Sequence, residues 1–248
     1  MPELPSIALV IPVFNEEAVL PELCTRLTKL FDGHPACTWQ AILVDDGSRD
    51  RSTVLIREQA ARDGRFVLLE LSRNFGFQAA IAAGLAHAAA DATVTMDADL
   101  QDPPEVIPAL VAEWRKGAHV VRAVRRTRAE TGSRRIGMDL FHRFFGKVAD
   151  FPIEANTGTF SLLDRSAVEA LNRLPERNRF FPGLRAWVGF TTAEVLYDRD
   201  ERAAGLPQQT FLRLVRYAVD GIFSFSYLPL RLLTYTGIFV SLAGFSLG

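Results

Sequence analysis

A chain of 248 residues, 48% of them hydrophobic, is long enough to bury one large α/β core or two small ones. Its 28 Lys and Arg against 29 Asp and Glu leave a formal net charge of −1, which excludes the globally basic surface of a nucleic-acid binder. The two cysteines, Cys24 and Cys37, make neither a disulfide framework nor a Cys-rich zinc site, and they fit a reducing compartment.

Ile7 to Phe14 is apolar and β-branched, the pattern of a strand buried on both faces. Glu3 stands where a signal peptide needs basic residues and Pro12 breaks the apolar run, so no secretory signal is read. Val19, Leu23, Leu27 and Leu30 repeat at helical spacing within Ala18 to Leu30. A second strand, Ala41 to Val44, stops at Asp45-Asp46-Gly47. Asp50 or Ser52 can cap a helix through Arg62. Phe66 to Leu71 reads as a third strand, Gly76 to Ala90 as an Ala-rich helix, and Ala92 to Met96 as a fourth strand. Pro103-Pro104 opens another helix, and Val120 to Val124 is a fifth strand. This alternation predicts a mostly parallel sheet covered on both faces, with ligands bound beyond the carboxyl ends of the strands.

After Arg125 the pattern loosens. Ser133 to Val148 looks helical, and Thr157 to Leu163 and Thr192 to Tyr197 read as strands. Between Arg115 and Lys147 ten Lys or Arg face two acids, a local basicity that points to an anionic partner or, more plainly, to a solvated helix face. Gln208 to Ser226 predicts an amphipathic helix with Phe211, Leu214, Val215, Ala218, Val219, Ile222 and Phe225 on one face. Leu232 to Gly248 carries no charge. As a helix that run spans about 25 Å, short of a hydrocarbon core of about 30 Å. It is expected to be the start of a transmembrane segment cut short, a buried core helix being the alternative.

Three strand ends carry acids: Asn15-Glu16-Glu17, Asp45-Asp46-Gly47-Ser48, and Asp97-Ala98-Asp99-Leu100-Gln101-Asp102. Two carboxylates one residue apart after a buried strand supply hard oxygen ligands suited to Mg²⁺ or Mn²⁺; an isolated Asp-x-Asp equally serves turns and helix caps. There is no G-x-G-x-x-G after the first strand, no P-loop and no G-x-S-x-G elbow. His34, His87, His119 and His142 lack metal-ligand spacing.

In this order, Ile11-Pro12-Val13-Phe14-Asn15-Glu16-Glu17, Val44-Asp45-Asp46-Gly47-Ser48, Ser72-Arg73-Asn74-Phe75-Gly76 and Asp97-Ala98-Asp99-Leu100-Gln101-Asp102-Pro103-Pro104-Glu105 resemble family 2 glycosyltransferases. Within that family the chain is most similar to the polyprenyl-phosphate group, of dolichol-phosphate mannose synthase and bactoprenol glucosyltransferase type. The resemblance covers nearly the whole chain. It implies an α/β fold of GT-A type, a nucleotide-binding sandwich over residues 1–205, then an amphipathic interfacial helix (206–228) and the start of a transmembrane segment (229–248). It implies an inverting transfer of a sugar from a nucleoside-diphosphate donor, UDP-linked by expectation, to a polyprenyl phosphate. It matches Pro12, Val13, Asn15, Glu16 and Asp46 to positions holding base and ribose. Asp97, Asp99 and Gln101 match the metal and diphosphate site, with Mg²⁺ or Mn²⁺ as cofactor. Arg125 and Arg128 match a basic pair near the reacting phosphates, and Arg202 a further active-site arginine.

The implied setting is the cell membrane, with the catalytic domain facing the cytosol and no nucleic-acid partner; homo-oligomerisation stays open. Three departures stand out. Thr159 occupies a place where many relatives carry an acid, Phe77 one where a basic or imidazole side chain is frequent, and Leu206-Pro207-Gln208-Gln209 replaces a Ser-basic-aromatic run. Two other functions compete. A processive polysaccharide synthase would carry Gln-x-x-Arg-Trp, which is absent. An inactive nucleotide-sugar-binding module would be marked by loss of the metal acids, and both are present.

Overall fold

The computed structural model describes residues 4–126, 157–176, 179–198 and 228–247. The chain falls into two compact units, Met1–Thr127 with Asn156–Leu206, and Arg128–Ala155 with Pro207–Gly248. The expected catalytic span 1–205 therefore differs from the first unit by the segment 128–155, which groups with the second.

In the first unit seven described strands form one sheet: β1 (Ser6–Val13), β2 (Thr38–Asp45), β3 (Phe66–Glu70), β4 (Ala92–Thr95), β5 (Val120–Arg125), β6 (Thr157–Asp164) and β7 (Thr192–Tyr197). Their order across the sheet is β3-β2-β1-β4-β6-β5-β7. β1 runs parallel to β2 and β4, β2 to β3 and β5 to β7, while β6 is antiparallel to both β4 and β5. The parallel strands bring Val13, Asp45, Thr95, Arg125 and Tyr197 to one edge. The reversed β6 delivers its beginning, Thr157 to Thr159, to the same edge.

Helices α1 (Leu20–Gly33), α2 (Ser52–Arg62), α3 (Phe77–His87), α4 (Ile107–Arg115), α5 (Arg165–Arg173) and α6 (Phe181–Trp187) accompany the sheet. Ile7, Leu9, Ile11 and Val13 share one core with Leu23 and Leu27 of α1 and Leu110 of α4. Burying each such side chain contributes on the order of 1.5–3 kcal/mol. Opposite this core α3 lies directly on β1: a Cβ on Gly84 would sit 2.3 Å from the Val10 side chain. The helix can pack that closely only because the residue is glycine.

The early elements follow the periodicity reading with boundary shifts. β2 begins at Thr38 because Thr38-Trp39-Gln40 alternates exposed, buried, exposed, a pattern missed when a continuous apolar run is sought. Pro104 opens a short 3₁₀ turn, Pro104–Val106, that leads into α4. Two helices were not expected. α5 carries a readable signal, since Asp164 accepts the Ser166 N–H at 2.9 Å as a cap. α6 has Pro182 and Gly183 among its seven residues, and those breakers hide it. The helices expected at Ser133–Val148 and Gln208–Ser226 lie outside the described residues.

In the second unit the structure describes α7 (Leu228–Leu247), which contains the expected uncharged run from Leu232 as far as Leu247. Leu233, Ile238, Phe239, Val240, Leu242 and Phe245 are exposed on it. Among the described residues no helix is long and apolar enough to cross a membrane.

Candidate active site at the strand ends

The segment after β4 turns sharply. Leu100 adopts a left-handed φ of 61°, a conformation that costs a non-glycine residue on the order of 1–3 kcal/mol. The Gln101 N–H closes the turn by donating to Asp99 Oδ1 at 3.1 Å. Leu100 is buried, and this fixes the backbone that carries Asp97, Asp99 and Gln101. Asp97 is half-buried as a residue, and its carboxylate lies deep enough for desolvation to dominate its ionisation. Burial first, then the negative fields of Asp102 and Asp99, push its pKa up to about 7, against weaker opposition from the Thr159 hydroxyl and Arg125. Thr159 Oγ1 donates to Asp97 Oδ1 at 2.9 Å. At this place, where an acid was noted as frequent, the chain has a hydroxyl that holds a carboxylate.

Beside it stands a network the sequence did not announce. The Tyr197 hydroxyl donates to Asp102 Oδ1 at 2.5 Å and accepts from Arg125 Nε at 3.2 Å. Arg125 Nη2 is 3.7 Å from Asp102 Oδ1. Asp102 is fully buried and Tyr197 nearly so. Burial opposes the charge on Arg125, yet the Tyr197 hydrogen bond and the carboxylates of Asp102 and Asp97 raise its pKa above the ordinary arginine value. For Tyr197, burial and the Asp102 carboxylate raise the phenol, so it stays a proton donor. Gly158 completes the seat, because a Cβ there would come to 3.3 Å from Arg125 Nη2. Asp102 was legible as part of a motif. Tyr197 ends a strand, and its apolar body conceals the hydroxyl's role.

Across β1, β2 and β3 the strand-end residues bind one another. Asp46 accepts the backbone N–H groups of Phe75 and Gly76 at 2.7 and 2.9 Å. Gly47, at φ 70°, packs so closely that a Cβ would lie 2.7 Å from the backbone of Arg73 and Asn74. Asn15, at φ 56°, accepts the Arg49 N–H at 2.8 Å through Oδ1, and its own N–H donates to Ser48 Oγ at 3.0 Å. The Glu16 N–H donates to Ser52 Oγ at 2.9 Å. Pro12 and Val13 end β1 opposite Val44 and Asp45. The loop that Asp46 holds presents Phe75 with the Arg73 guanidinium 4.0 Å over its ring.

The structure thus brings Pro12, Val13, Asn15, Glu16, Asp46, Asp97, Asp99, Gln101 and Arg125 to the strand-end edge of the sheet. Arg128 and Arg202 lie outside the described residues. Among the described residues no group of three or more His, Cys, Asp or Glu side chains is arranged to hold a metal ion by itself. Asp97 and Asp99 nevertheless fit a hard divalent cation. The charge surplus that lifts Asp97 is what such an ion relieves, and Mg²⁺ or Mn²⁺ commonly completes its shell with substrate phosphates.

The family model described as Glycosyl transferase family 2 matches residues 8–171. An uncharacterized glycosyltransferase, YkcC of Bacillus subtilis (strain 168), is 41% identical over 239 residues, covering 96% of this chain and 74% of the relative. The bactoprenol glucosyl transferase of Shigella phage SfX is 40% identical over 243 residues, covering 98% and 79%. Among solved structures, the mannosyltransferase PcManGT from Pyrobaculum calidifontis, in complex with GDP-Man and Mn²⁺, superposes with a TM-score of 0.61 at 18% identity, over 88% of this chain and 63% of that one. Glucosyl-3-phosphoglycerate synthase from Mycobacterium tuberculosis, in complex with Mn²⁺, UDP-glucose and phosphoglyceric acid, gives 0.58 at 18% identity, over 86% and 76%. At that identity the likeness shows the fold, an α/β sandwich of GT-A type built on a mostly parallel sheet.

Proposed function

The chain belongs to glycosyl transferase family 2, and from that premise we propose that it transfers a sugar, with inversion, from a UDP-linked or similar nucleotide donor to a polyprenyl phosphate. The observation that carries the reading is Asp97 lying in the fields of Asp102, Asp99 and Arg125 at the strand-end edge, with Arg125 also beside Asp102. An acidic cluster beside an arginine suits a metal-bound diphosphate. Asp97 and Asp99, with Gln101 beside them, would hold Mg²⁺ or Mn²⁺. Such an ion supplies Lewis acidity toward the departing nucleoside diphosphate.

The chain's own residues carry the rest of the chemistry. Arg125, kept charged and aimed by Tyr197 and Asp102, faces developing negative charge on the phosphates. Arg128 and Arg202 would add to it. Pro12, Val13, Asn15, Glu16 and Asp46 shape the base and ribose end, Asp46 by holding the 72–76 loop. The acceptor needs no strong base, because a phosphate monoester with a second pKa of about 6 is already an anion. Its oxygen forms the new bond to the anomeric carbon as the bond to the diphosphate oxygen breaks. Thr159 therefore serves by holding Asp97. The polyprenyl acceptor sets the enzyme at the cytosolic face of the cell membrane, and the exposed apolar residues of α7 support attachment there. The test is transfer from a panel of labelled nucleotide sugars to polyprenyl phosphate in vesicles with Mn²⁺. Label should become organic-soluble with at least one donor. If it stays water-soluble with all of them while the nucleotides still bind, this function is wrong.

A further inference from the structure

The loop between β3 and α3 turns its backbone inward and its side chains outward. Asp46 accepts the Phe75 and Gly76 N–H groups at 2.7 and 2.9 Å. The Gly76 carbonyl accepts from the Ala79 and Ala80 N–H groups at 3.0 and 3.1 Å, and the Asn74 carbonyl from Arg73 Nη1 at 3.2 Å. Phe75 and Phe77 are nevertheless 48% and 40% exposed. Gly76 turns the chain between them at φ 98°, and a Cβ there would meet nothing within 4 Å. The chemistry above uses neither ring.

Such a loop tip suits a medium that offers no hydrogen bonds. Backbone polar groups that enter a bilayer must be satisfied within the protein, and the two N–H groups and two carbonyls named here already are. The charge agrees. Leu71 to Ala90 contains no acid, Glu70 is paired with Arg57 at 2.9 Å, and the Arg73 guanidinium carbon stands 4.0 Å over the Phe75 ring. A cation beside aromatic rings matches lipid phosphates above the acyl boundary. Area decides against a protein partner. A half-exposed phenylalanine leaves on the order of 100 Å² to cover, so the pair falls well short of the roughly 800 Å² that each side of a stable protein interface buries.

We propose that Arg73, Phe75 and Phe77 form a membrane contact of the first unit. The two rings enter the headgroup–acyl boundary, and the guanidinium meets lipid phosphates. This contact adds to the exposed apolar residues of α7 and needs no choice of donor or acceptor. Only its use, to hold the strand-end edge at the bilayer, rests on the function proposed above.

The test is Phe75→Trp in the full chain, on vesicles of phosphatidylglycerol and phosphatidylcholine whose acyl chains are brominated near the headgroup. The wild type, with Trp39, Trp114 and Trp187, gives the background. The introduced indole should lose at least about half of its added emission to bromine, because an interfacial ring touches the upper acyl chain. Arg73→Glu in the same background should restore most of it. Added emission that bromine leaves untouched, whether or not the protein sediments with the vesicles, would overturn the proposal. So would quenching unchanged by Arg73→Glu, or added emission that UDP shifts without vesicles, which would give the rings to the donor's base. Phe77→Trp, under the same criteria, serves if Phe75→Trp fails to fold. Quenching without transfer from any donor would sink the proposed function alone. Transfer to polyprenyl phosphate with the indole unquenched would sink this contact alone.

Discussion

The strand-end edge has two halves that treat their carboxylates differently. On the β1–β2–β3 side the acids are met inside the protein. Asp46 takes two backbone N–H groups, Asp45 takes the Ser48 N–H and the Thr53 hydroxyl, and Asp50 takes the N–H groups of Ser52 and Glu17. Burial works to raise the Asp50 carboxyl, yet those hydrogen bonds hold it below its usual value. On the β4–β6 side Asp97 is raised to about 7, because burial and two neighbouring acids outweigh one hydroxyl and Arg125. The first half is a finished scaffold that positions loops. The second keeps acids crowded together, and that crowding is what the proposed metal ion would relieve.

The comparison is broken most severely on the charged side. Asp99→Ala should cut transfer at least about a thousandfold, on the order of 4 kcal/mol in barrier, with the far-UV spectrum and the cooperativity of thermal unfolding retained. Turnover of that variant in EDTA at the wild-type rate would refute the metal assignment. Tyr197→Phe removes the hydroxyl shared by Asp102 and Arg125 and should lower kcat about 10–100-fold. Donor KM should change little, since the loop scaffold is untouched. A rise in donor KM with unchanged kcat would show that Tyr197 serves binding instead.

On the scaffold side Asp46→Ala removes two part-buried hydrogen bonds to backbone N–H groups, a loss of about 0.5–1.5 kcal/mol of stability each. Its kinetic signature should be a raised donor KM with kcat nearly intact, the reverse of Tyr197→Phe. Thr159→Val deletes one hydrogen bond to Asp97 and should keep at least a tenth of the rate, a loss under about 1.4 kcal/mol. A thousandfold loss in a folded variant would make Thr159 a catalytic group.

A further effect is on pH dependence without metal. Asp97 holds a proton in the fold between its ordinary pKa of 3.8 and about 7, where the unfolded chain has released it. The folded state binds more protons in that window, so metal-free stability from this group falls as pH rises through it and levels off above. In EDTA, Asp97→Asn should therefore gain on the wild type from acidic to mildly alkaline pH, by on the order of 1–3 kcal/mol. A gap independent of pH would show that Asp97 is ionised throughout.

The first half of the edge was the more legible in the sequence, because its strands are continuous apolar runs stopped by Asn15, Asp45-Asp46 and Gly47. Asp46 shows the limit: its carboxylate accepts the Phe75 and Gly76 N–H groups, contacts across 29 and 30 residues that no local pattern encodes. The acidic half was legible as Asp97-Ala98-Asp99, but the strain at Leu100 and the raised Asp97 follow from burial that spacing cannot report. Tyr197 stayed hidden for a related reason. It ends a short strand that reads as apolar, and only the fold sets it between Asp102 and Arg125.

The account depends above all on Asp97 and Asp99, in the field of the buried Asp102, receiving a divalent ion together with a nucleoside diphosphate. Titrating Mn²⁺ into the protein by electron paramagnetic resonance, with and without UDP, tests this directly. Wild type should bind Mn²⁺ at least tenfold more tightly when UDP is present, and Asp99→Ala should lose that enhancement. Equal Mn²⁺ affinity with and without UDP, or an enhancement unchanged in Asp99→Ala, would contradict it.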